Sequence, residues 1–177
     1  MNPNQTVPTL VLPDDVGGGA IWESNTIARY LARKHKPELI GGGSLEKQAA
    51  IEKWMDWQLC LGYNDDLNAL HDNVVRLQEN ERNVGVLVDA ATRVAQRLSL
   101  LEQHLSANKF VASDSFTLAD IGLGGAVARL KVSMERAVEL YGVDFSSVPK
   151  MPNIDRWFER LVARPSFFNG CLTPGTR

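Results

Sequence analysis

The residue types that could carry chemistry are few and scattered in this sequence. His35, His71 and His104 have no second ligand three or four residues away, so no metal site is expected from helical spacing. Cys60 and Cys171 are too few for a disulfide framework and lack a metal-ligand spacing, so both read as inert thiols of a reducing compartment. The adjacent carboxylates Asp14-Asp15 and Asp65-Asp66 point different ways from a common backbone and read as solvated. Gly17-Gly18-Gly19 and Gly41-Gly42-Gly43 lack the lysine and hydroxyl of a phosphate-binding loop, and both read as turns or linkers. Ser24 opens a helical pattern and reads as an N-cap.

Two kinds of element must position these residues, and the chain changes character near residue 41. Val7 to Leu12 is short, apolar and partly β-branched; a dense turn signal from Pro13 to Gly19 follows, then Ala20-Ile21-Trp22, which together predict a β-hairpin. A helix follows from Ser24, with Ile27, Tyr30 and Leu31 on one face and Arg33, Lys34, His35 and Lys36 near its C-terminal end, where the helix dipole favours positive charge. Pro37 stops it.

Beyond Gly43 only helical periods remain. Ala50, Trp54, Trp57 and Leu61 form one stripe, and Val84, Leu87, Ala91, Val94, Leu98, Leu101 and Leu105 form a longer one over Val84 to Ala107. The longer stripe is expected to pack inside a bundle for most of its length, with a share in a dimer as the alternative. Thr117 and Asp120 have the spacing of a capping box, assigned here to folding. The helix they open is apolar nearly all round, and Gly122, Gly124 and Gly125 let its neighbours come close. Pro152 opens another helix with Ile154, Trp157, Phe158 and Leu161 inward, and Arg164-Pro165 closes it.

Composition limits the partners. At 177 residues and a net charge of −2, the chain has room for one domain or for a domain and part of another, and it lacks the excess of basic charge that holds proteins on nucleic acid or anionic membranes. No apolar run approaches the roughly 20 residues of a membrane span. We therefore expect a cytoplasmic protein with small-molecule or protein partners, no nucleic acid and no membrane.

Separated segments along the chain resemble the cytosolic glutathione transferase superfamily. Asn2-Pro3-Asn4-Gln5-Thr6-Val7-Pro8-Thr9-Leu10 is similar to its NPxGxVPTL stretch, and the run from Trp22 to Ala32 to its ESNAIxRYLA helix start. Phe116-Thr117-Leu118-Ala119-Asp120-Ile121, Pro152-Asn153-Ile154-Asp155-Arg156-Trp157 and Arg164-Pro165-Ser166-Phe167 resemble its C-terminal signatures. Trp54-Met55-Asp56-Trp57-Gln58 is similar to a bacterial subgroup. In their order and separation these segments cover essentially the whole chain.

The resemblance implies an α+β, mostly helical fold: a partial thioredoxin-like β-β-α unit over residues 1–40, then the all-helical C-terminal domain over 44–177. It also implies glutathione as co-substrate, no metal, a hydrophobic electrophile and a homodimer. By resemblance the proline of Val7-Pro8 is cis, and Val7 offers its backbone N–H and C=O to the cysteinyl part of glutathione. Glu23 takes the γ-glutamyl ammonium, while the Ser24 hydroxyl and the helix N-terminus take its carboxylate. Gln5 and Thr6 depart from the family pattern, which often has glycine and a basic or apolar residue there. Trp57, Leu61 and Tyr63 are candidates for the electrophile wall, with core packing the plainer role.

The family's thiol-activating tyrosine, serine or cysteine lies in a strand–helix–strand unit ahead of the Val-Pro segment, and the sequence before Val7 has no such unit. No catalytic residue is assigned for that reason. The activity expected from the resemblance is attack of the glutathione thiolate on an electrophile in the complete family member. The alternative is a catalytically silent glutathione-binding or assembly module.

Overall fold

The first element pair is the expected hairpin, described here from a computed structural model that covers residues 2–60 and 63–171. Strands β1 (Thr9–Val11) and β2 (Ala20–Trp22) run antiparallel, with Thr9 opposite Trp22, Leu10 opposite Ile21 and Val11 opposite Ala20. Their connection tightens through a 3-10 turn at Asp14–Val16 and then Gly17, Gly18 and Gly19 at φ of 95°, 60° and 90°. These are left-handed conformations that only glycine adopts without strain. Period-two alternation separates Leu10 and Ile21, which are half-buried, from Val11 and Trp22, which are exposed. A two-stranded sheet is marginal by itself, and helix α1 (Ser24–His35) packs against both strands.

Helix α1 ends as its charges predict. Arg33, Lys34 and His35 fill its last turn, and Pro37 opens a 3-10 turn, Pro37–Ile40, that buries Ile40. Gly41 follows at φ 93°, where an added Cβ would come within 2.9 Å of the Gln48 backbone nitrogen. Helix α2 (Leu45–Cys60) then turns a face slightly rotated from the expected stripe: Ile51, Trp54 and Met55 are buried, whereas Ala50 and Trp57 are half-buried. Leu61 lies outside the described residues. Helix α3 (Tyr63–His71) runs on into a π turn at Asp72–Arg76.

The expected single helix from Val84 to Ala107 is two. After a 3-10 turn at Val84–Val86, α4 (Leu87–Arg97) and α5 (Ser99–His104) meet at Leu98, which has φ −79° and ψ −1°. The joint is short enough to leave the apolar seam in register. Leu87, Ala91, Val94, Leu98, Leu101 and Leu105 are all buried within this chain, so the stripe does its packing here; only Val84 stays exposed. Asp66, expected to be solvated, is a correction as well. Arg93 donates to it from α4 at 2.7 Å, and Arg97 stands 3.3 Å away. Its partners come from another helix, which adjacent-residue spacing cannot foresee. Asp14, Asp15 and Asp65 are exposed, as expected.

Helix α6 (Leu118–Tyr141) occupies the middle, touching α1, α2, α3, α4, α7 (Pro152–Val162) and α8 (Pro165–Cys171). Asp120 near its start is fully buried and accepts four hydrogen bonds: from the N–H of Thr117 (2.9 Å), the Thr117 hydroxyl (3.1 Å), the N–H of Val111 (2.9 Å) and the indole of Trp157 (2.9 Å). The capping box is thus also the joint between α6, the preceding loop and α7. Of the three glycines, Gly124 alone has crowding neighbours: a Cβ there would lie 2.6 Å from Leu161 and 2.8 Å from Phe167. The α7 face is as expected, with Ile154, Trp157, Phe158 and Leu161 buried. Its N-terminus is capped from α5, where the Glu102 carboxylate accepts from the N–H groups of Asn153 (3.0 Å) and Ile154 (2.9 Å). The whole is a mostly helical α+β fold.

Candidate functional site

The hairpin register decides which candidate residues can act together. The paired register ends at Thr9 opposite Trp22, so Val7-Pro8, just before Thr9, and Glu23-Ser24, just after Trp22, both continue from the same end of the hairpin. The peptide bond between Val7 and Pro8 is cis. Val7 is 92% exposed, and Pro8, Glu23 and Ser24 are exposed too. The four residues singled out in the sequence are therefore all exposed and lie at the end of the hairpin from which α1 starts.

The backbone there corrects one detail. Ser24 is the first helical residue, and the cap position belongs to Glu23, at φ 70° and ψ 114°. That conformation costs a non-glycine residue on the order of 1–3 kcal/mol, and such outliers cluster at ligand clamps. The Glu23 carbonyl accepts the first intrahelical bond, from Ile27 at 2.9 Å, yet no side chain caps the helix. The N–H groups of Ser24, Asn25 and Thr26 thus face outward without intrahelical acceptors, at the positive end of the helix dipole. A carboxylate placed there would meet several donors at once, with the Ser24 hydroxyl beside them and the Glu23 carboxylate available to an ammonium. Gln5, which stands where the family pattern has glycine, has φ 54°, so the backbone takes a glycine-like conformation without the glycine.

What fixes this surface was not singled out in the sequence. Asn25 is 8% exposed, and its amide donates across to α2, to the Met55 carbonyl (3.0 Å) and Gln58 Oε1 (3.3 Å). One and two turns on, Arg29 donates to Asp56 (2.5 Å) and stands 3.6 Å from Glu52, to which Arg33 also donates (2.6 Å). A signal existed: two arginines four residues apart on one helix face two carboxylates four residues apart on the next. Asn25 had none, because an asparagine after a serine at a helix start reads as ordinary turn chemistry.

The remaining candidates fall elsewhere. Trp57 packs edge-on against Trp54, with ring centroids 5.0 Å apart and planes at 83°, which is a packing role. The Tyr63 side chain lies outside what is described. Cavities of about 1050, 650 and 550 Å³ are lined by other residues than Val7, Pro8, Glu23, Ser24 and Trp57. His71 Nδ1 is 3.1 Å from the Ser133 hydroxyl and His104 Nε2 is 2.9 Å from the Val111 carbonyl, both structural contacts. Among the described residues no group of three or more His, Cys, Asp or Glu side chains is placed to hold a metal ion, and no helix is long and apolar enough to cross a membrane.

Residues 74–165 match the family model for the glutathione S-transferase C-terminal domain. The glutathione S-transferase GstB of Escherichia coli strain K12 is 32% identical over 98% of this chain and 77% of its own length. The probable elongation factor 1-gamma 2 of Arabidopsis thaliana is also 32% identical, over 94% of this chain but 37% of its own. The fold is similar to a theta class glutathione S-transferase of Xanthomonas axonopodis pv. citri, solved with glutathione bound, at a TM-score of 0.78 and 29% identity, covering 98% of this chain and 75% of that one.

Proposed function

The chain belongs to the cytosolic glutathione S-transferase superfamily, and on that premise we propose that Val7, Pro8, Glu23 and Ser24 form its glutathione site. The observation that carries this assignment is the uncapped N-terminus of α1, preceded by Glu23 at φ 70°. The γ-glutamyl carboxylate takes the α1 N–H groups and the Ser24 hydroxyl, the γ-glutamyl ammonium takes Glu23, and the cysteinyl backbone pairs with the N–H and C=O of Val7, which is 92% exposed. The hairpin and α1 are a partial thioredoxin-like unit that presents glutathione, and the helices after it form the second unit. We draw the division at residues 1–40 and 44–177.

The activity is attack of the glutathione thiolate on a hydrophobic electrophile, in the cytoplasm and without a metal. The four residues bind and orient glutathione; none of them supplies the hydroxyl or thiol that activates its sulfur. A homodimer remains part of the proposal on a changed basis. The long apolar stripe is spent inside the chain, and support comes instead from the outer face of the hairpin, where Val11 and Trp22 are 60% and 39% exposed. A second reading, a catalytically silent assembly module, draws on the similarity to elongation factor 1-gamma over 94% of this chain.

Calorimetry of glutathione binding tests the site. Ser24→Ala removes a hydroxyl bonded to a charged group, worth about 1.5 kcal/mol or more, so the expected loss of affinity is about tenfold. Glu23→Gln is expected to weaken glutathione binding similarly while leaving a des-amino analogue unaffected. Equal affinity of the parent and both variants would remove the assignment. Absence of binding altogether would favour the assembly module.

A further inference from the structure

The join between the end of α3 and the middle of α6 gathers positive charge around one carboxylate. Asp72 opens the π turn Asp72–Arg76, whose wider loop is closed by the N–H of Leu77 donating to the Asp72 carbonyl at 2.8 Å. Such turns recur at functional sites. Arg76 Nη1 stands 3.3 Å from Asp72 Oδ1, and Arg129 Nη2, reaching across from α6, stands 3.9 Å from the same oxygen. Arg136, further along α6, donates from Nε to the Val74 carbonyl at 3.4 Å and has no carboxylate partner among the described residues. Three guanidiniums thus meet one carboxylate.

Asp72 sets these cations in place without using up their donors. Among the described residues no acceptor bonds Arg129 Nη2, which is buried although its side chain is 29% exposed, and Asp72 Oδ1 receives no hydrogen bond either. Burial, and after it the charge of Arg76, push the Arg129 guanidinium below its ordinary value, and Asp72 offsets that only in part. The nearby Arg82 differs, because its Nη1 donates to the Tyr141 hydroxyl at 2.6 Å and its Nε to the Leu77 carbonyl at 2.9 Å. The frame is fixed as well. His71 Nδ1 lies 3.1 Å from the hydroxyl of Ser133, a fully buried residue that follows Arg129 on α6, so the end of α3 is tied to the helix that carries Arg129. A surplus of two positive charges on planar, forked donors is complementary to an oxyanion with two negative charges and several acceptor oxygens.

We propose that Arg76, Arg129 and Arg136 form a binding site for a phosphate group, whose oxygens bridge Arg129 Nη2 and the Arg76 guanidinium while Asp72 holds both in place. The site shares no residue with the proposed glutathione site, so neither assignment depends on the other.

Titration of the isotope-labelled full chain with inorganic phosphate, against sodium chloride at matched ionic strength, tests this through backbone amide shifts. Saturable shifts are expected across Asp72–Arg76 and around Arg129, with a Kd of about 1 mM or tighter. Arg76→Gln is expected to weaken phosphate binding by about fivefold to tenfold with thermal unfolding unchanged, since that side chain is 63% exposed. Arg129→Lys keeps the charge but not the fork, and is expected to weaken it by about threefold or more. Glycerol 3-phosphate distinguishes the source of the group: an affinity within about threefold of that for inorganic phosphate supports a site for the free ion, and one about tenfold tighter supports a site for a phosphate ester. The proposal is overturned if chloride produces the same shifts, if the shifts with phosphate lie away from these amides, or if the double variant Arg76→Gln, Arg129→Lys binds phosphate like the parent.

Discussion

Asp120 shows how a single side chain can be fixed by the fold more firmly than its local pattern suggests. The spacing of Thr117 and Asp120 announces a cap, but the N–H of Val111 and the indole of Trp157 come from elsewhere in the chain and cannot be read locally. Burial pushes the Asp120 carboxyl above its ordinary value of 3.8, and the donors from Val111, Trp157 and Thr117 offset that only in part. A carboxyl raised in the folded state contributes stability that is full below its unfolded value and is lost as pH rises through the folded value. Asp120→Asn abolishes this titration and turns an amide N–H toward the Thr117 donors. We expect it to cost about 2 kcal/mol. In urea unfolding series the gap between parent and variant should be widest at acid pH and narrow as pH rises above 3.8. A gap independent of pH would count against the raised carboxyl. Glu23 and Gln5 mark the opposite limit, because positive φ at a glutamate or a glutamine leaves no trace in composition or periodicity.

At the scale of elements, α6 is where sequence pattern and packing can be compared most closely. Its apolar circumference announced a central helix, and six other helices touch it. The three glycines look alike in sequence but differ in surroundings. Gly124→Ala would drive a methyl group to 2.6 Å from Leu161 and 2.8 Å from Phe167, whereas Gly125→Ala meets nothing within 4 Å. Thermal unfolding should therefore show a loss of about 1–3 kcal/mol for the first and a gain of up to about 1 kcal/mol for the second, from helix propensity. A shared loss would mean that α6 is equally crowded on both sides. The break at Leu98 was not legible for a related reason. One non-helical residue leaves the three-and-four spacing of Leu87 to Leu105 intact, so a straight helix and a jointed one write the same seam.

At the scale of the molecule, the hairpin and bundle were legible because their signals are local: turn residues, alternation and helical period. The proposed glutathione surface was legible only in part. The segments bearing Val7-Pro8 and Glu23-Ser24 could be found in the sequence, but that both continue from the same end of the hairpin depends on its register, and the placement of α1 against the bundle depends on Asn25, Arg29 and Arg33 reaching Met55, Gln58, Asp56 and Glu52. These polar contacts across α1 and α2 hold the helix N-terminus in a fixed position relative to the helices that follow. The central claim is that this N-terminus receives the γ-glutamyl carboxylate of glutathione. Titrating glutathione into isotope-labelled protein and following backbone amide shifts tests it most directly. The account predicts saturable shifts concentrated at Val7, Glu23, Ser24, Asn25 and Thr26, lost in Ser24→Ala at the same glutathione concentration. Saturable shifts confined to another surface, with these amides unmoved, would contradict it.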